Sequence, residues 1–304
     1  MLKSGARLSG LTAGQSQRVR DLARLALAER GLEAVVYADH LRVADGRVFG
    51  LDTVASLCHN APLGEGSWPQ VVATYLDDFL AKFPDAPGDL TVEQLRAGTH
   101  LRLVLAEALP NDWKSAYKYA RPIGGGLLEL LAHRDGDYVR WLRDQDVKLV
   151  GHDELITIGL TNLLAVQPDG VDVLTHEHGR IYCVDGASGF IASMVLVLPE
   201  VLRELPDLTM NPEHGVLVSM PTRHRLTVAP VDDQVVWQLA SMMSVTAYDY
   251  SNGVAPLSAH LFWWCHGELH RLTEVDRTGV LQPALPEEFL AVTESLWDGS
   301  SDAA

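Results

Sequence analysis

"GVLVSMPTRHRLTVAPVDD", residues 215–233, decides how this chain is read. Val216, Val218 and Met220 recur at the two-residue period that places them on one face of a strand, and Leu226 and Val228 repeat the pattern farther on. Between the two runs stand Pro221, Thr222, Arg223, His224 and Arg225. Proline already has the φ that the second position of a type I turn needs. Met220–Arg223 is therefore expected to be the turn of an antiparallel hairpin, with Arg223 and Arg225 at its corner and on its solvent side. Asp232 or Asp233 then stands where it can cap a helix, "QVVWQLASMMSVTAY" (234–248).

Working outward, hairpins recur. "GVDVLTHEHGRIYCVDG" (170–186) alternates through Val171, Val173, Ile181 and Cys183, and "LSAHLFWWCHGELHRL" (257–272) turns at His266-Gly267. "GLLELLAHRDGDYVRWL" (126–142) reads as two strands around Asp135-Gly136, while 100–110 fits strand or helix. "HDELITIGLTNLLAV" (152–166) has the wide apolar face of a helix. "ASMVLVLPEVLREL" (192–205) is mixed, with Pro199 suited to a first helical turn.

Nearer the start, Thr12 and Gln15 have capping-box spacing ahead of a helix that Gly31 closes. "LEAVVY" (32–37) is a strand candidate, "HLRVADGRVFGL" (40–51) is a hairpin with an Asp45-Gly46 turn, and Asp52 opens a short helix to about His59. A second box, Ser67 with Gln70, precedes a helix that Pro84 stops, and "PDAPGDL" (84–90) has linker composition. The expected class is α+β. A small helix, hairpin and helix layer over 1–84 is followed by a larger mixed domain of antiparallel hairpins over 91–295, and 296–304 reads as a disordered tail.

Composition narrows the function classes. The 304 residues are 47% hydrophobic and 21% charged, which is globular. Forty acids against 24 bases give a net charge of -16 without a basic run. This argues against nucleic acid and anionic lipid, and it suits solubility or a basic protein partner. No apolar run is long enough to span a membrane. No secretory leader is visible at the start, and the three cysteines, Cys58, Cys183 and Cys265, share no C-x-x-C motif. A cytoplasmic protein without a disulfide framework, cofactor or metal is the expectation.

The chemistry-bearing patterns are incomplete. "HGELH" puts Glu268 in the wrong place for a zinc helix, and its two histidines fall on different strands of a hairpin. His176 and His178 share a strand face without carboxylates, and polar hairpin ends explain them more simply. Ser188 lies between glycines without the spacing of a nucleophile elbow. Gly124–Gly126 precedes no lysine and eases entry to a strand. Trp263 and Trp264 point to opposite faces, so that one of them is core and the other is free to line a groove or interface. The remaining constellation is the loop Asp185–Ser193 beside Arg223 and Arg225, where a guanidinium pair can grip a carboxylate or phosphate. The plainer reading is a solvated turn answering Asp232 and Asp233.

Four stretches together resemble a bacterial family of unknown function typified by the YtpQ proteins. They are "LRVADGRVFGLDTVASLCHNAP" with "YLDDFLAKF", "YVRWLRDQDVKLVGHDELITIGLTNL", "VDGASGFIASMVLVLPEVL" and "VSMPTRHRLTVAPVDD". Asp185, Gly186, Ala192, Ser193, Leu198, Pro199 and Glu200 follow that family's D-G-x-x-A-S…L-P-E pattern. Pro221 and Arg223 follow its P-x-R-D pattern, with His224 where the family has the acid. The resemblance implies an α+β cytoplasmic protein and supplies no reaction. Two expectations result. One is a non-enzymatic accessory factor of adaptor or immunity type that binds another protein. The other is an enzyme or small-anion binder with its site at Asp185, Ser193, Arg223 and Arg225.

Overall fold

The computed structural model describes residues 8, 10–43, 47–82, 88–106, 109, 113–136, 138–176, 179–232, 235–251, 255–276 and 280–301. The chain is α+β and divides into two compact units, Met1–Asp89 with Ser251–Pro256, and Leu90–Tyr250 with Leu257–Ala304. In the first unit the order is α1 (Ala13–Glu29), β1 (Ala34–Val36), β2 (His40–Val43), β3 (Val48–Gly50), α2 (Asp52–His59) and α3 (Trp68–Lys82). The three strands form one antiparallel sheet, and Leu27, Leu41, Phe49, Leu51, Val72 and Leu76 are buried together in its core. The Thr12–Gln15 box forms: each residue's side chain accepts the other's backbone N–H, at 3.3 and 3.0 Å. The Asp45-Gly46 turn and Pro84 lie outside the described residues.

Two helix starts differ from expectation. A 3₁₀ turn, Gly64–Ser67, runs straight into α3, so Ser67 Oγ donates to the Gly64 carbonyl and Gln70 to Thr74 Oγ1, and no box forms. Helix α2 has Leu51 as its cap residue, and Asp52 is already inside the first turn.

The second unit runs α4 (Val92–Gly98), β4 (Thr99–Leu105), β5 (Arg121–Gly124), β6 (Leu127–Asp135), β7 (Tyr138–Trp141), α5 (Asp144–Val150), α6 (His152–Leu164), β8 (Gly170–His176), β9 (Gly179–Asp185), α7 (Leu198–Glu204), β10 (Val216–Ser219), β11 (Arg225–Pro230), α8 (Val236–Ser251), β12 (Leu261–Cys265), β13 (Glu268–Arg271), β14 (Thr273–Val275), β15 (Leu281–Pro283) and α9 (Glu287–Ser301). The ambiguous 100–110 segment is the strand β4. Strand β6 is flanked by β4 on one side and by β5 and β7 on the other. The opening hairpin, β10 with β11, lies in the middle of a six-stranded antiparallel sheet ordered β13-β12-β10-β11-β9-β8.

That central position changes how the alternation reads. Val216, Val218, Leu226, Val228, Tyr182 and Val184 pack with Leu101, Leu103, Leu127 and Leu131 of the four-stranded sheet. On the other face Leu217, Ala229, Ile181 and Cys183 pack with Val236, Leu239 and Met243 of α8 and Phe289 of α9. Both faces are covered, so β9, β10 and β11 are buried at consecutive positions. For the same reason Trp263 enters one core, and Trp264 packs half-buried against the other instead of lining a free groove.

Other local readings also shift. The Met220 and Pro221 carbonyls accept the N–H groups of Ser258 and Leu257. The reversal moves to Thr222–Arg225, closed by Arg225 N–H to the Thr222 carbonyl at 3.4 Å. Asp232 caps no helix; its Oδ1 accepts the Asn211 N–H at 2.9 Å, while Asp233 lies outside the described residues. A 3₁₀ stretch, Ala192–Val197, leads into α7 with Pro199 in the first turn. Helix α9 continues through Ser301, into the stretch read as a tail. The triple glycine makes a close approach: a Cβ on Gly124 would stand 2.1 Å from the Leu269 carbonyl oxygen. Among the described residues no helix is long and apolar enough to cross a membrane.

Candidate functional site

Strand register builds the site. Arg225 on β11 stands directly opposite Asp185 on β9. The two form a fork: Arg225 Nε to Asp185 Oδ1 at 2.6 Å and Nη2 to Oδ2 at 2.8 Å. The Tyr250 ring lies 4.4 Å from the same guanidinium. The Asp185 hydrogen bonds, with a contribution from Tyr250, hold the Arg225 pKa above its ordinary value against the cost of partial burial. Both side chains are half-buried, because neighbouring strands and the next loop cover the hairpin end; the expected solvent-side position is therefore not found for Arg225, nor for half-buried Arg223. The acid that answers Arg225 is Asp185, not Asp232.

The loop after Asp185 folds back over the reversal. Gly186 N–H donates to the His224 carbonyl, and Ala192 N–H to the Arg223 carbonyl, each at 3.2 Å. His224 Nδ1 lies 3.3 Å from the Gly186 carbonyl, which fixes that nitrogen as the N–H donor. From the other side Asp169 Oδ2 takes the Ala187 N–H at 2.8 Å.

Behind this loop is a residue that sequence reasoning missed. Arg102 of β4 is 4% exposed. Its Nη1 donates to the Gly189 carbonyl, and its guanidinium carbon sits 4.7 Å from the centre of the Phe190 ring. No carboxylate among the described residues pairs with it, and the charge that acts on it is another cation, Arg223. Burial first, and Arg223 second, push its pKa down to about 9. An isolated buried cation is costly, so such groups are ordinarily paired. The signal was an arginine inside the apolar run "HLRLVL", 100–105.

The remaining predicted residues have structural duties. Ser193 is buried, and its Oγ accepts the Leu103 N–H at 3.1 Å, tying the 3₁₀ stretch to β4. It belongs to the core and faces no open site. Ser188 Oγ accepts the Phe190 N–H at 3.3 Å. Burial raises the thiol pKa of Cys183 and Cys265, and that of Cys58 to about 11. His266 stands in the turn beside Glu213 and not on a strand as expected, and His270 stands on β13 beside Glu268. The His176 side chain and His178 lie outside the described residues, among which no group of three or more His, Cys, Asp or Glu side chains is arranged to hold a metal ion. Of the four predicted site residues, Asp185 and Arg225 meet, Arg223 adjoins Arg102, and Ser193 stands apart in its role.

No protein-family model, curated protein or solved structure matches this chain.

Proposed function

We propose that this protein is a non-enzymatic binding factor that takes an anionic group at the corner formed by Arg102, Gly189, Arg223 and His224. One observation carries the reading: Arg102 is a buried guanidinium with a backbone carbonyl and an aromatic ring against it, the like charge of Arg223 acting on it, and no carboxylate among the described residues pairing with it. Binding an anion would offset the desolvation that this charge otherwise suffers. A non-catalytic role is supported by the protonated thiols and by the seryl oxygens already engaged with backbone N–H groups. The test is thermal melting in a panel of sodium salts at constant ionic strength. Anions that occupy the corner raise the melting temperature of the native chain, and Arg102→Met removes the rise. Equal behaviour of the two chains would defeat the proposal.

A second reading, docking of a protein partner, is favoured by β8. It is an edge strand of the six-stranded sheet, and Leu174 there is 54% exposed beside half-exposed Val173. The net charge of -16 favours a basic partner. Leu174→Lys would then weaken capture of the partner, and unchanged capture would remove this reading.

A further inference from the structure

We infer that the ligand of the Arg102 corner is a small organic monocarboxylate, bound through Arg102 with Gly189 as the residue that leaves room for it. The inference rests on the anion-binding reading above. Gly189 takes one N–H of Arg102, and two of the guanidinium's other N–H groups run parallel and match two carboxylate oxygens. The available space is small and specific. A Cβ built on Gly189 would lie 3.7 Å from Arg102 Nη1, 4.0 Å from Nη2 and 3.8 Å from His224 Cε1, with nothing nearer. A methyl-sized volume thus stands open between the two side chains.

Charge selects the class. The energy of confining an ion in a low-dielectric site grows with the square of its charge, and Arg102 is the buried guanidinium of the corner, Arg223 being half-buried and within reach of solvent. A protein of net charge -16 also repels a dianion more strongly than a monoanion during approach. Both effects favour a carboxylate over a phosphate dianion. The surroundings favour an organic acid: the Phe190 ring covers the guanidinium, and the His100 ring lies 4.6 Å from Phe190.

The experiment is calorimetric titration of the full chain with sodium acetate, sodium propionate and sodium phosphate at low, constant ionic strength. It is repeated with Arg102→Met and Gly189→Ala. Gly189 does not have a left-handed backbone conformation, so alanine adds a methyl at ordinary contact distance without strain. The expected result is saturable binding of acetate and propionate, at least about tenfold weaker in both variants, with phosphate weaker than either acid. Gly189→Ala keeps the test valid should Arg102→Met fold poorly. Phosphate binding lost in Arg102→Met, without carboxylate binding, would overturn the ligand class and leave the anion site standing. Binding of neither, or binding indifferent to both substitutions, would overturn the inference and the reading beneath it.

Discussion

Both units of this protein bury arginine, Arg20 and Arg47 in the first and Arg102 in the second, and Arg20 and Arg102 are kept in opposite company. Arg20, in the first unit, is 7% exposed. It donates through Nε and Nη2 to the Ala38 carbonyl, and the carboxylates of Asp39, Asp21 and Asp52 act on it as opposing charges. Arg102, in the second unit, is buried as deeply and has an arginine where Arg20 has acids. Burial lowers the pKa of both. The difference lies in compensation. Arg20 is complete as it stands and has a structural role, whereas no carboxylate among the described residues pairs with Arg102.

Acid gives the largest expected contrast between the units. His100, His133 and His260 all belong to the second unit, and burial holds each pKa below the ordinary 6.5. Lowered folded values mean that the unfolded chain binds more protons as the pH falls below about 6.5, so stability is full above that pH and is lost as the pH drops through the folded values. Between about pH 6.5 and 5, hydrogen exchange should accelerate in β4, β6 and β12 before it does in α1 and β2. Simultaneous loss of protection would break the contrast.

Next in size is the paired substitution of the arginines themselves. Arg20→Met should cost roughly 2 kcal/mol, because it removes the charge-assisted hydrogen bonds of a buried guanidinium to the Ala38 carbonyl. Arg102→Met, with no ligand present, should fall within about 1 kcal/mol of neutral or stabilise, since it removes an unbalanced charge from the interior. Denaturant unfolding measures both, and equal costs would show that Arg102 is balanced after all. Ser193→Ala should cost about 2 kcal/mol by leaving the buried Leu103 N–H without its acceptor. A cost near zero would return Ser193 to the list of site residues. Asp185→Asn is expected to have the smallest effect, about 1 kcal/mol, because the Arg225 pair is partly exposed and screened by solvent. A much larger loss would mark that pair as a support of the corner.

The hairpins and several helices were legible because their causes are local. Helix α1 follows from its capping box and apolar spacing, β6 and β7 from the turn signal at Asp135-Gly136, and β12 and β13 from the two-residue turn at His266-Gly267. Misreadings cluster where a distant segment overrides a local preference. The proline in Met220–Arg223 favoured a turn there, but the Met220 and Pro221 carbonyls accept the N–H groups of Ser258 and Leu257, and the reversal is closed farther on, at Thr222–Arg225. Ser193 and Arg225, singled out for chemistry, have tertiary partners that spacing did not show, the Leu103 N–H and the Asp185 carboxylate.

The sequence by itself determined the α+β class, most hairpins and the basic corner after Pro221, since spacing, turn residues and charge act over a few positions. Which strand lies central, and which arginine lacks an acid, were decided by tertiary structure alone. Arg102 meets Gly189 across 87 positions of chain, and a charge's neighbours at that separation are set by packing rather than by spacing along the sequence.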